Sequence, residues 1–159
     1  MNTPTIRPAR LTDLDVLNEQ MYLLHQYHHL AQPEHFKTPE EVQLEKNIST
    51  YLDDPQCLIY VAEVEGAIVG FVTGHFCELL STISKPVQMG SVDELYVYPE
   101  YRNMGVAKRL ILKMEEMFED FGVKQVFVEV WDFNQSAINL YNKMDFKNHI
   151  HYLRKTLKN

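Results

Sequence analysis

The chain has 159 residues, enough for one domain with a hydrophobic core and too few for two. Hydrophobic residues make up 45% and charged residues 23%, a globular balance that excludes disordered and fibrous classes. A net charge of −7 disfavours nucleic acid and anionic membranes as partners and favours cationic ones.

The first ten residues, MNTPTIRPAR, lack the apolar stretch of a signal peptide. No run in the chain approaches the roughly 18 apolar residues of a membrane span. A cytoplasmic protein is therefore expected. TPTIRPAR reads as a short extended segment, limited to a sheet edge by Pro8. TDLDVLNEQMYLLHQYHHL reads as a helix capped by Thr12, with Leu14, Leu17, Met21 and Leu24 at helical spacing. PEHFK breaks it. TPEEVQLEKNISTYLDD predicts a second helix, with Thr38 as its cap and Pro39 at the first helical position. CLIYVAEVEGAIVGFVTGHF predicts two strands joined by a tight turn at Glu65-Gly66. Cys57 and Cys77 lie in apolar runs without ligand spacing, so buried free thiols in a reducing compartment are expected.

VQMGSVDELYVYP predicts a long strand ended by Pro99. A helix over roughly 104–121 follows and stops at Gly122. KQVFVEVW is a strand, NQSAINLYNKM a helix capped by Asn134, and NHIHYLRKTL a last strand. The order is β-α-α-β-β-β-α-β-α-β. It calls for a single domain over 1–159 of mixed α/β (α+β) class, with helices on both faces of a sheet.

The helix over 104–121 carries its charge the wrong way round. Arg102, Lys108 and Arg109 surround its start, and Glu115, Glu116, Glu119 and Asp120 its end. A helix start already bears partial positive charge. Ala107, Leu110, Ile111, Met114, Met117, Phe118 and Phe121 form one apolar face that packs the helix on the sheet. The front is different. Gly105 admits close approach to the backbone, and the first helical N–H groups have no internal partners. Together they make an anion site, whose usual occupant is phosphate.

Residues 91–146 resemble the GNAT superfamily of acetyl-CoA-dependent N-acetyltransferases. Its signature is Arg or Gln, two residues, Gly, one residue, then Gly or Ala. Arg102-Asn103-Met104-Gly105-Val106-Ala107 matches it, after a strand of the family's type. Asn134, Ala137 and Tyr141 stand at the spacing of a second family motif, and KMDF resembles its usual closing stretch. Asn103 and Asp145 stand where Gly is common, and both residue types tolerate left-handed backbone.

The resemblance implies a mixed, mostly antiparallel sheet splayed between two strands, with acetyl-CoA as cosubstrate. It places the pyrophosphate on Arg102, Asn103, Met104, Gly105, Val106, Ala107 and Lys108. Free backbone groups at Leu95, Tyr96 and Val97 would pair with the pantetheine arm like an added strand. Asn134 caps its helix and, by resemblance, touches the same arm. Tyr141 would protonate the leaving thiolate. The attacking amine must first lose a proton, since alkylamines are charged at pH 7. Asp93 and Glu94 are the candidate bases. Adjacent strand residues face opposite ways, so at most one is expected to point into the site. The sequence leaves the choice open.

His25, His28 and His29 share a helix face, but no Cys or acid completes a metal set. No metal is expected, and the histidines read as part of an acceptor pocket or a polar helix end. The resemblance implies a primary amine of a small cationic acceptor, as in diamine and aminoglycoside members. Acetylation of a protein N-terminus or lysine is the alternative, and a silent acyl-CoA-binding module is the rival from another class. Partners are acetyl-CoA and the amine, with no nucleic acid or membrane, and a homodimer is admitted.

Overall fold

The structure is a computed structural model that describes residues 3–158; Met1, Asn2 and Asn159, part of the expected domain, lie outside the described residues. The chain forms two compact units, Met1–Glu129 and Val130–Asn159.

The first unit is a five-stranded sheet in the order β1-β2-β3-β4-β5. β1 (Thr5–Pro8), β2 (Cys57–Val64), β3 (Ala67–Leu79) and β4 (Val87–Val97) are antiparallel neighbours, and β5 (Gln125–Val128) joins β4 in parallel. Pro8 sits on the edge strand, as its missing N–H requires. Glu65 and Gly66 both adopt positive φ, 51° and 83°, which makes the tight β2–β3 turn.

One face of the sheet carries α1 (Leu14–Ala31) and α3 (Ile48–Asp53), whose Leu17, Met21 and Ile48 pack on Ile59, Val61, Phe71 and Tyr96. The other face carries α4 (Val106–Asp120), whose Val106, Leu110, Met114 and Phe118 pack on Tyr60, Ala62, Val72 and Val92. Close packing has removed side chains from the sheet beneath α4. A Cβ built on Gly90 would lie 2.6 Å from the Phe118 ring. On Gly74 it would lie 2.8 Å from Met114 Cε.

Several local expectations change. Thr12 does not cap α1. It lies inside a short 3-10 turn, Leu11–Asp13, and Asp13 takes the Arg10 N–H at 2.8 Å. The buried Asp13 carboxylate also receives the Arg7 guanidinium at 2.8 and 3.0 Å, while Arg7 Nε reaches Glu63 at 2.7 Å. The Arg7 hydrogen bonds hold the Asp13 carboxyl below its ordinary value and fix the start of α1 to the sheet. The expected second helix is two. α2 spans Pro39–Glu45, with Thr38 Oγ1 accepting from Glu41 N–H at 3.2 Å. The chain then turns extended at Lys46, and Asn47 caps α3. Phe121 lies just past the end of α4 and is 68% exposed, touching the apolar face only at its rim through the Phe76 ring, centroids 5.3 Å apart, while Val106 takes a buried place.

The second unit contains α5 (Gln135–Lys143), capped by Asn134 Oδ1 accepting from Ala137 N–H at 3.2 Å. Asp145 adopts φ 67° just beyond the helix. The expected last strand does not form: residues 147–158 have no ladder, and Ile150, Tyr152, Leu153 and Leu157 are exposed. An alternating pattern makes a strand only where a neighbour offers its backbone.

Candidate active site

β4 is paired along both sides over only four of its eleven residues. Its antiparallel ladder with β3 runs from Val87 to Val97. Its parallel ladder with β5 runs from Met89↔Gln125 to Val92↔Val128 and ends there. Beyond Val92, the side of β4 turned from β3 has no strand partner among the described residues. Tyr98 N–H points to β3, bonding Val69 at 2.9 Å. Backbone groups alternate sides along a strand, so those of Leu95 and Val97 point to the open edge. The Arg102 side chain confirms the direction: its Nε donates to the Val97 carbonyl at 2.8 Å. The same guanidinium lies 5.4 Å from the Tyr96 ring centroid. Tyr96, whose backbone turns towards β3, contributes its buried ring to the α1–α3 face.

The open edge leads directly to the start of α4. A 3-10 turn, Pro99–Tyr101, follows β4, and α4 begins at Val106. Asn103 and Gly105 adopt φ 63° and 79°, so the loop winds left-handed at both. A Cβ on Gly105 would meet nothing within 4 Å, which leaves open space in front of the helix. The first-turn N–H groups of Val106, Ala107 and Lys108 face that space without internal partners. Met104 is exposed at 44% beside them. A cleft of about 200 Å³ adjoins the same loop, lined in part by Tyr101, Met104, Val106 and Arg109. The residues present therefore fit a phosphate-bearing ligand at α4 and an extended arm along β4.

The two acids lie where the β4–β5 ladder ends. A β-bulge in β4 sets Glu94 opposite Thr73 and Val92 opposite Gly74, leaving Asp93 as the extra residue. This overturns the expectation that Asp93 and Glu94 face opposite ways. Gly74 faces α4, so Thr73 and His75 on either side of it face α1 and α3. Glu94 bonds Thr73 and Asp93 bonds His75, so the bulge brings both carboxylates to one face.

Their surroundings differ. Glu94 is only 5% exposed. It accepts from Thr73 Oγ1 on one oxygen, and pairs with Lys46 Nζ on the other, with Tyr51 OH at 3.4 Å. Burial is the strongest single influence on the Lys46 ammonium and lowers it, but the charge and hydrogen bond of Glu94, with Tyr51, together outweigh it and hold Lys46 above its ordinary value. Burial and then the Glu94 charge push the Tyr51 phenol up to about 12. Asp93 has an 18% exposed side chain, accepting from Ser91 Oγ at 2.8 Å and meeting His75 Nδ1 at 2.6 Å. His75, Lys46, Tyr51 and Thr73 were not among the expected site residues.

In the second unit, Tyr141 is buried against Phe146, ring centroids 5.4 Å apart. Burial pushes its phenol up to about 12, so it stays protonated at neutral pH. No described residue bonds its hydroxyl, and that oxygen is not among the fully buried unpartnered atoms, so it is open to a ligand atom.

The histidines form no metal centre; among the described residues no His, Cys, Asp or Glu trio could hold an ion. The His25 ring is tilted 48° to that of His28, centroids 6.2 Å apart, and its buried Nε2 has no hydrogen-bond partner. Burial, then the His28 and Lys46 charges, push His25 down to about 4. His29 Nδ1 meets the Phe36 carbonyl at 2.9 Å. Cys57 and Cys77 are free and half-buried, and burial pushes the Cys57 thiol up to about 11. No described helix is long and apolar enough to cross a membrane.

Comparison with known proteins bears on this geometry. Residues 22–146 match the acetyltransferase (GNAT) family. An N-alpha-acetyltransferase of Sulfurisphaera tokodaii is 32% identical over 146 residues, covering 89% of this chain and 79% of that one. The solved structure of an acetyltransferase from Vibrio fischeri is 51% identical, with a TM-score of 0.68 over 80% of this chain and 97% of that one. An aminoglycoside N-acetyltransferase, AAC(6')-Iy, solved with coenzyme A, is 19% identical with a TM-score of 0.70, covering 98% and 96%. That last likeness speaks to the fold alone.

The His25 environment has a measurable consequence. Its folded value lies below the ordinary imidazole value near 6.5, so the unfolded chain binds the extra proton. The stability it contributes is complete above pH 6.5 and is lost as pH falls towards 4. Urea midpoints between pH 7.5 and 4.5 should therefore fall more steeply for the wild type than for His25→Leu. Parallel curves would show that His25 does not titrate with folding.

Proposed function

The chain belongs to the GNAT acetyltransferase family and takes acetyl-CoA as its donor, and we propose that its acceptor is the primary amine of a small cationic molecule. The observation that carries this is the placement of the acids. Two carboxylates share one face of the sheet where the open edge of β4 begins. Lys46 meets the Glu94 charge, and Asp93, which keeps solvent access, is free to attract an ammonium group.

In this reading the pyrophosphate lies on Arg102, Asn103, Met104, Gly105, Val106, Ala107 and Lys108. The pantetheine arm pairs with Leu95 and Val97, beside Tyr96, and reaches Asn134. The thioester carbonyl is polarised by backbone N–H near Val97. The amine attacks it directly, a carbon–nitrogen bond forms, and the carbon–sulfur bond breaks. Tyr141, protonated at neutral pH, supplies a proton to the thiolate. Glu94 is held by Lys46 and Thr73 and fixes the loop between α2 and α3 on β4. Asp93 is the carboxylate with solvent access and the one that meets the acceptor side.

A second reading rests on the Sulfurisphaera tokodaii relative, named an N-alpha-acetyltransferase: the acceptor would be a protein N-terminus. A silent acyl-CoA-binding module is disfavoured by the unbonded Tyr141 hydroxyl and the solvent-facing Asp93. Residues 1–159 are read as one domain, because the family match at 22–146 runs through both compact units. A cytoplasmic location suits a protein with free thiols. The exposed Ile150, Tyr152, Leu153 and Leu157 support a homodimer in which a second copy covers them.

Thiol release from acetyl-CoA, followed against polyamines, aminoglycosides and then peptides, tests the acceptor. Transfer to the cationic small amines is expected to exceed transfer to peptide N-termini by on the order of tenfold or more in kcat/KM, about 1.4 kcal/mol. The reverse ranking would favour the second reading, and thiol release with no amine would favour neither.

Tyr141→Phe tests the thiolate donor. The substitution keeps the ring against Phe146 and removes only the hydroxyl. The rate should fall on the order of 10²-fold with an unchanged melting temperature. Wild-type turnover would reduce Tyr141 to a core residue.

A further inference from the structure

His75 belongs to neither the family motif nor the expected acid pair, yet it is the titratable side chain best placed beside Asp93. The bulge at Asp93 is what creates this arrangement. In a regular ladder Asp93 would occupy a partnered position opposite β3 and turn towards α4. As the extra residue it turns to the other face, where His75 stands opposite Ser91. Asp93 Oδ2 meets His75 Nδ1 at 2.6 Å, and Ser91 Oγ donates to Asp93 Oδ1 at 2.8 Å. The carboxylate is thus oriented by one neighbour and orients the next. A carboxylate only accepts, so the neutral imidazole must carry its proton on Nδ1 and leave the Nε2 lone pair free. Nε2 has no hydrogen bond from the described residues. The His75 side chain is 37% exposed, so a solute can reach it.

We propose that His75 Nε2 takes the proton from the acceptor ammonium, with Asp93 as the residue that positions it. The inference rests on the acetyl-transfer reading above and deepens it. An ammonium group must lose two protons to become an amide nitrogen. His75 accepts the first and passes it to water. The neutral amine then attacks the thioester carbon, the carbon–sulfur bond breaks, and the second proton ends on sulfur as the free thiol.

The other groups on this face leave the task to His75. Cys57 on β2 is paired with His75, and Cys77 lies two residues along β3. Both thiols are pushed upward by burial and carry no charge at neutral pH. Tyr51 on α3 is pushed up to about 12 and is likewise neutral. Glu94 on β4 is buried and its charge is met by Lys46. Asp54, in the turn before β2, interacts with Cys57. That leaves Asp93 as the anion in contact with the imidazole. A free carboxylate is also a poor match for an alkylammonium proton, whereas an imidazole functions near neutral pH.

The test uses the full chain with the best acceptor from the amine panel. For His75→Gln, kcat/KM at pH 7 should fall on the order of 10²-fold. The deficit should shrink steadily towards pH 9.5 as more of the amine becomes neutral unaided. Coenzyme A affinity, read by calorimetry, should be unchanged. Asp93→Asn should produce a smaller loss and displace the pH profile, which a merely structural role would not do. A pH-independent loss in His75→Gln, or none, would overturn the proposal while leaving the acetyl-transfer reading intact. If the wild type acetylates no amine, that reading fails first and this one with it. Nitrogen-15 spectra of the histidines give a readout free of activity. The Nδ1–H form of His75 should dominate at pH 8 and weaken in Asp93→Asn. An imidazolium persisting to pH 9 could not accept a proton and would overturn the proposal.

Discussion

The site depends on one departure from regular pairing: β4 keeps β3 for eleven residues but loses β5 after Val92. A strand edge with unpaired N–H and C=O groups is costly to bury and sticky to expose. Here the edge is short and partly covered. Arg102 takes the Val97 carbonyl and lies over the Tyr96 ring, so one side chain shields the edge where it meets the loop. The same strand leads straight into the start of α4, where positive φ at Asn103 and Gly105 turns bare amides outward. An extended arm and an anion can therefore be read by backbone alone, with no deep cavity. In the proposed reading the reversed charge of α4 has a use: Lys108 and Arg109 at its start would face a ligand anion rather than the helix dipole alone.

The second feature is the different use of two adjacent acids. A bulge costs one ladder position and turns two consecutive side chains to the same face. Glu94 then becomes structural. It lies among Thr73, Tyr51 and Lys46, and its partner Lys46 comes from the break between α2 and α3. Removing either partner would leave a charge without its counter-ion, which is far more costly than losing a surface pair. Asp93, one residue earlier, keeps its solvent contact and holds His75. A single irregularity thus separates an anchoring carboxylate from one available for chemistry.

The features legible in the sequence are those with a local cause. The Glu65-Gly66 turn, the Thr38 and Asn134 caps, the limits of α4 and the left-handed Asn103 and Asp145 all follow from residues within a few positions. The family resemblance supplied the splayed sheet and the cofactor. The features missed have partners far along the chain. His75 and Asp93 are 18 positions apart, and Thr73 and Glu94 are 21 apart. Aligning the β3 and β4 patterns as a long hairpin would have placed His75 beside the acids, but not the bulge that turns Asp93 towards it. The helix break at Lys46 was hidden because LEKNIS is compatible with continuous helix. Its extended backbone accompanies the long-range Lys46–Glu94 pair, for which no local signal exists. Residues 147–158 were misread for the converse reason: the alternation is real, but a strand also needs a neighbour.

The central claim is that the open edge of β4 is the docking line for the acetyl-CoA arm. Residue-resolved amide exchange, with and without coenzyme A, tests it most directly. The amides of Leu95 and Val97 should exchange readily in the free protein and slow by on the order of tenfold or more with coenzyme A, as a strand-like partner closes the edge. The Tyr96 amide, already turned towards β3, should change little. Binding of coenzyme A that leaves Leu95 and Val97 exchanging at their free rates would contradict the account.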